Sequence, residues 1–291
     1  MNRKKINLII GLILAVFFVW EIVYSVTNTE FNWGEDREEV RLVHNPWDTE
    51  VSSANVLAIA LEEAGFSVEL ISVDNAIMYE SVAVGESDAM VAAWLPITHG
   101  SIYETYEDQL VNLGPNLEGA RSGIVVPSYM DVDSIADLDN QADKTIMGIE
   151  PGAGIMIQTE IAMDVYDNLS DWELESPSTG AMLATLSDAL ANEEEIVITG
   201  WTPHWKFQRY DVKFLEDPEN VYGESEEIHT LVRHGFEEDM PEAHRIIDNF
   251  FWEVEDMESV TLDMQNGVEE RQAAQNCVDQ NRDKVDAWLA E

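Results

Sequence analysis

An α/β protein of two lobes with a ligand cleft between them is the fold class this chain predicts, and three observations carry it. Two successive stretches, 41–93 and 145–199, each alternate short apolar runs with helical segments in a β-α-β-α-β order, the pattern of a mostly parallel sheet flanked by helices. Each series has a loop after its first strand and ends on the same unusual punctuation: Ala93-Trp94-Leu95-Pro96-Ile97-Thr98-His99 in the first, Gly200-Trp201-Thr202-Pro203-His204-Trp205 in the second. Ligands of open α/β sheets bind beyond the carboxyl ends of the strands. Two series with matching edges therefore imply a cleft, with each Trp expected at the mouth of a strand rather than inside a core.

The chain opens with Arg3, Lys4 and Lys5, then runs uncharged from Leu8 to Trp20 and continues through Glu21 into Ile22-Val23-Tyr24, which reads as a targeting element. Residues 1–26 are expected to be either a signal peptide cut after Ser25 or an N-terminal membrane anchor, the stretch from Ile6 to Val26 being just long enough to span. No Cys follows the apolar run, so a lipid-modified N-terminal cysteine is excluded. Residues 27–39 form an acidic spacer.

A first lobe is expected over 40–125. Arg41 to His44 reads as a strand leaving at Asn45-Pro46-Trp47, and Glu50 to Ala64 as a helix capped by Thr49 or Asp48 and stopped by Gly65. Phe66 to Leu70 alternates as a strand does. Asn75 to Val84 is helical, and Asp88 to Ala93 is a strand. The stretch Val125 to Asp143, with its Pro and Asp residues, is the expected crossing into a second lobe over 126–236. That lobe reads as strand Thr145 to Ile149, loop Glu150 to Gly154, helix Ile155 to Tyr166, strand Trp172 to Glu175, helix Gly180 to Ala191 and strand Glu195 to Thr199. The acidic helical tail 237–291 is expected to pack back on the first lobe.

The formal charge is −43, from 15 Lys and Arg against 58 Asp and Glu, which disfavours nucleic acid and anionic membrane surfaces as partners. Hydrophobic residues still make up 45%, so the chain is folded rather than an acidic disordered segment. Such a surface suits high salt, where mobile ions screen its self-repulsion; a halophilic source is the expectation. The single cysteine, Cys277, leaves no disulfide framework. His229, His234 and His244 lack metal spacing, no GxSxG stands in the chain, and neither an enzyme activity, a metal nor a cofactor is expected.

Trp47, Trp94 and Trp201 are all predicted at strand exits. A Trp face contributes about 0.5–2 kcal/mol to a suitably placed cation, and a quaternary ammonium, which cannot donate a hydrogen bond, is best met by such faces. The turn Glu150-Pro151-Gly152-Ala153-Gly154-Ile155 runs from a strand into a helix, where the free amides of the first turn suit an anion. Without a following Lys or a dinucleotide fingerprint, a small carboxylate fits better than a phosphate. His99, five residues after Trp94, is a candidate donor to that carboxylate, while His204 beside Trp201 has a weaker case. A cation cage facing a carboxylate holder describes a site for a small zwitterion with a methylated ammonium.

At these residues the chain resembles the extracellular substrate-binding proteins of glycine betaine ABC importers, of the OpuAC and ProX type. The matching stretches are Trp47 to Glu50, Asp88 to His99, Gly148 to Met156, Ile198 to Trp205 and Tyr222 to His229. The resemblance implies a two-lobed, periplasmic-binding-protein-like (type II) fold. It implies a prism of Trp47, Trp94 and Trp201 around the trimethylammonium, and a ligand carboxylate held by the Gly154 and Ile155 amides with help from His99. His204 and Trp205 are assigned to supporting their turn. A membrane permease is the implied partner, and the cell membrane's outer face the implied location. Choline, carnitine and proline betaine are the alternative ligands, and a membrane-anchored solute sensor is the alternative role.

Overall fold

A computed structural model describes residues 37–290, so the expected targeting element and most of the acidic spacer lie outside the described residues. The first series forms β1 (Glu39–His44), α1 (Asp48–Glu63), β2 (Ser67–Ser72), α2 (Asn75–Ala83) and β3 (Ala89–Leu95), followed by a short helix α3 (Gly100–Tyr106). The second forms β5 (Thr145–Met147), α4 (Gly154–Val165), β6 (Glu173–Glu175), α5 (Thr179–Asn192) and β7 (Val197–Thr202), followed by α6 (Lys206–Arg209). Between the two series runs one long strand, β4 (Leu110–Pro127), and after the second come β8 (Val212–Phe214) and β9 (Glu226–Arg233).

The strand order is β2-β1-β3-β9-β4-β7-β5-β6, with β8 on the side of β4. β1 pairs in parallel with β2 and β3, and β5 with β6 and β7, whereas β9 and β4 run antiparallel to their neighbours. Each lobe thus carries a mixed sheet rather than the mostly parallel one expected, because the connecting strands cannot be read from a β-α-β repeat. β4 passes through both sheets: its residues up to Ala120 pair with β9, and from Arg121 onward with β7. The crossing therefore falls at Ala120 and Arg121, not over Val125 to Asp143. β9, assigned by its position to the second lobe, hydrogen-bonds to β3 and belongs to the first sheet, so the lobe boundaries expected at 125 and 236 both shift toward the N-terminus, to Ala120 and to the start of β9 at Glu226.

α1 is buried along nearly its whole length. Its small polar residues fold back on the helix, with Ser52 and Ser53 donating to the Thr49 carbonyl at 2.8 and 2.9 Å and Asn55 to that of Val51 at 2.9 Å, which satisfies them without water. The burial has a cause in the tail, which folds into α7 (Phe236–Asp239), α8 (Pro241–Asn249), α9 (Val254–Gln265), α10 (Glu270–Gln280) and α11 (Arg282–Leu289). Helices α9 and α10 pack on α1, where Arg271 reaches the Asn55 carbonyl at 3.3 Å and Arg282 pairs with Glu63 at 2.6 Å. α1 is thus covered on both sides, and its apolar residues Leu57 and Leu61 are fully buried.

Candidate ligand-binding site

The carboxyl ends of β1, β3 and β7 and the start of α4 converge on one cavity. All six residues singled out from the sequence line it: Trp47, Trp94 and His99 from the first lobe, Gly154, Ile155 and Trp201 from the second. Trp94 and Trp201 are the penultimate residues of β3 and β7, within the strands rather than beyond them, and only 4% and 7% exposed. The strands run on to Leu95 and Thr202, where Pro96 and Pro203 follow, both in cis.

Each indole is held by a different device. Trp94 donates its Nε1 proton to Glu50 Oε1 at 2.8 Å. Trp47 occupies the N-cap of α1 with no side-chain capping bond and donates to Glu150 Oε2 of the other lobe at 3.2 Å. Asp48, expected as a cap, instead accepts from Trp205 Nε1 at 2.8 Å. Trp201 has the edge of His204 at 5.0 Å and the Lys206 Nζ over its ring at 4.1 Å. That amine is fully buried; burial drives its pKa well below the usual lysine value, and its nearest acceptor is the Trp201 carbonyl at 3.3 Å.

The start of α4 and the turn after β3 bring polar groups to the same cavity. Gly154 and Ile155 open α4 behind the N-cap Ala153, so their amides have no helical acceptor. His99, 2% exposed, accepts the Trp94 backbone amide at Nδ1 at 3.2 Å. The remaining ring nitrogen, Nε2, therefore carries the proton. Burial lowers the His99 pKa to about 4, so the ring is a neutral donor at physiological pH. A Cβ at position 154 would collide with the Thr98 carbonyl and stand 2.9 Å from His99 Cδ2. Only glycine lets the second lobe come this close to the turn that carries His99.

Two carboxylates in and beside the cavity were not singled out from the sequence. Glu50 lines it at 3% exposure, takes a second hydrogen bond from Thr49 at 2.5 Å, and is pushed by burial to a pKa of about 7. Glu226, the first residue of β9, accepts from the amides of Ile97 and Thr98 at 3.0 and 2.6 Å, from the Thr98 hydroxyl, and from Ser122 at 3.2 Å. It thereby ties the Trp-x-Pro turn of the first lobe to the crossing between lobes. Among so many acidic residues neither carries a local sequence signal; only their long-range partners set them apart.

The family described as the substrate binding domain of the ABC-type glycine betaine transport system, OpuAC, matches residues 38–280. The chain belongs to this family. Lactococcal OpuAC, solved in its closed-liganded conformation complexed with glycine betaine, superposes with a TM-score of 0.86 at 49% identity over 87% of this chain and 100% of that one. The ProX glycine betaine/L-proline-binding protein of Borrelia burgdorferi gives 0.84 at 35% identity, over 87% of this chain and 97% of its own. The fold is accordingly the two-lobed α/β fold of these binding proteins. The glycine betaine/carnitine transport binding protein GbuC of Listeria monocytogenes is 48% identical over 157 residues, 54% of this chain; the match spans about half of that relative, 52% of its length.

Proposed function

We propose that this chain is the extracytoplasmic solute-binding component of an ABC importer and that its ligand is glycine betaine. The observation that carries the proposal is the convergence, in one cavity between two lobes, of three indoles with two free helix amides and a neutral histidine donor. Trp47, Trp94 and Trp201 surround the trimethylammonium, where aromatic faces replace the hydration shell of a cation that can donate no hydrogen bond. The Gly154 and Ile155 amides and the His99 Nε2 proton hold the carboxylate. Closure excludes water, which strengthens each of these contacts. Because the ligand is neutral overall, its binding tolerates the high salt that so acidic a protein needs.

Calorimetric titration with glycine betaine in high salt tests the proposal; a folded sample giving neither heat nor a thermal shift would sink it. Carnitine is the second reading, favoured by the name of the Listeria relative. Choline serves as the control, since it leaves the two amides and His99 without an anion and should bind more weakly than betaine. Residues 1–26 would keep the protein at the membrane if uncut, a point decided by the mass of the mature N-terminus, and a permease in the same membrane is the partner of the closed form.

A further inference from the structure

Two indole N–H groups cross the cleft in opposite directions. Trp47 of the first lobe donates to Glu150 of the second at 3.2 Å, and Trp205 of the second donates to Asp48 of the first at 2.8 Å. The donor of one pair and the acceptor of the other, Trp47 and Asp48, are consecutive residues at the head of α1, so one helix start carries both bonds to the opposite lobe.

The two acceptors and the two rings are prepared within their own lobes to different degrees. The Glu150 carboxylate is already oriented by the start of α5, where the Thr179 amide donates to Oε1 at 2.8 Å and the Thr179 hydroxyl to Oε2 at 2.7 Å. Burial works to raise its pKa, but these bonds outweigh it and hold the group below the usual carboxylate value, so an ionised acceptor faces Trp47. Trp205 is 1% exposed and wedged between His204 and Tyr210 at 5.2 and 5.7 Å. Trp47 is the least buried of the three cavity indoles, and its N–H finds its acceptor only on the opposite lobe.

We propose that Glu150 is a positioning residue for Trp47, fixing this wall of the cavity from across the cleft, and that with the Asp48–Trp205 pair it forms a two-point latch made only when the lobes close. The inference rests on Trp47 being a wall of the ligand cage, as proposed above. In the open state both acceptors and both indoles face water and exchange their partners for it. The latch therefore adds to the stability of the closed, loaded form and leaves the separate lobes unaffected. Association begins on the open form, so loss of the latch is read in the dissociation rate.

The test uses Glu150→Ala, Glu150→Gln and Trp205→Phe in the full chain at high salt, with glycine betaine followed by calorimetry and stopped-flow Trp fluorescence. Hydrogen bonds to a charged acceptor are among the stronger ones, so Glu150→Ala and Trp205→Phe should each raise Kd about tenfold, chiefly through faster dissociation. Glu150→Gln, which keeps an acceptor oxygen, should recover part of the loss. Glu150→Ala also strips the Thr179 amide and hydroxyl of their acceptor and Trp205→Phe trims a buried ring, so each variant is compared with its own ligand-free melting temperature, from which the upward shift on adding betaine should shrink. Wild-type affinity in Glu150→Ala and Trp205→Phe overturns the latch, and so does a lowered ligand-free melting temperature with an unchanged dissociation rate. If wild type binds no betaine, it is the functional reading that has failed. Small-angle scattering with carnitine then tests the latch independently: where carnitine lowers the wild-type radius of gyration, a Glu150→Ala/Trp205→Phe double variant must show a smaller fall, and an equal fall overturns the latch.

Discussion

Glu50→Gln should make the protein more stable above neutral pH, and the structure sets the size of the effect. The carboxyl sits between Trp94 Nε1 at 2.8 Å and the Thr49 hydroxyl at 2.5 Å, and burial raises its pKa from 4.5 to about 7. The native state thus holds a proton over a window where the unfolded chain has released it, so this group's contribution falls as pH rises from 4.5 to 7. At about 1.4 kcal/mol per pKa unit, the cost of ionising Glu50 in place reaches roughly 3 kcal/mol above that window and vanishes below it. Glutamine keeps an acceptor oxygen for Trp94 and has no charge to bury, and the Thr49 hydroxyl can turn to accept from its amide. His99 slopes the other way: with its pKa lowered from 6.5 to about 4, it favours the native state increasingly as pH rises through that range. In wild type the two slopes offset each other, and the variant exposes the slope of His99. Urea unfolding at fixed high salt, from pH 4.5 to 8, should show the variant gaining on wild type by about 3 kcal/mol. Parallel profiles would refute the argument. Lys206 and His204, also buried, are common to both proteins and cancel in the difference.

Gly154→Ala should weaken betaine binding by about 1–3 kcal/mol, because the new methyl meets the Thr98 backbone, while the ligand-free protein should melt normally since the clash exists only between lobes. Trp94→Ala and Trp201→Ala should each lose about 1–2 kcal/mol or more of affinity through the missing cation–π face; calorimetry showing unchanged affinity in both would remove the cage. Dilution from high to low salt should lower the melting temperature, because 58 acidic residues against 15 basic ones then repel unscreened, and a salt-independent midpoint would contradict this.

The parts of the molecule that were legible in the sequence are those with local signals. Gly65 after an Ala-rich run gave the end of α1, and the Gly152 to Ile155 turn gave the start of α4 to within a residue. The three Trp stood out because each precedes or follows a Pro-bearing turn. What escaped depends on partners far along the chain. β9 looks like any short apolar run until β3 and β4 are found on either side of it, and its place in the first lobe follows from them. β4 carries Gly114, Pro115 and Gly119, residues that discourage a strand, and its pairing with β9 absorbs them through register shifts. Glu50, Glu150 and Glu226 are three carboxylates among many, and each acquires its role from indoles, hydroxyls or amides that lie between 29 and 129 positions away.

The crossing between the sheets has a mechanical consequence. Ala120, where β4 leaves the first sheet, is the register partner of Glu226, where β9 enters it. The whole second lobe is therefore one contiguous length of chain hung from two rails that depart side by side. A body held at two adjacent points swings easily about the line that joins them, and any other rotation must stretch one rail against the other. The moving half is thus confined to something close to a single arc, like a door on its pins. Trp201 and Gly154 sit on the hung half and Trp94 and His99 on the other, and all four line one cavity, so a swing on that arc would part and rejoin them together.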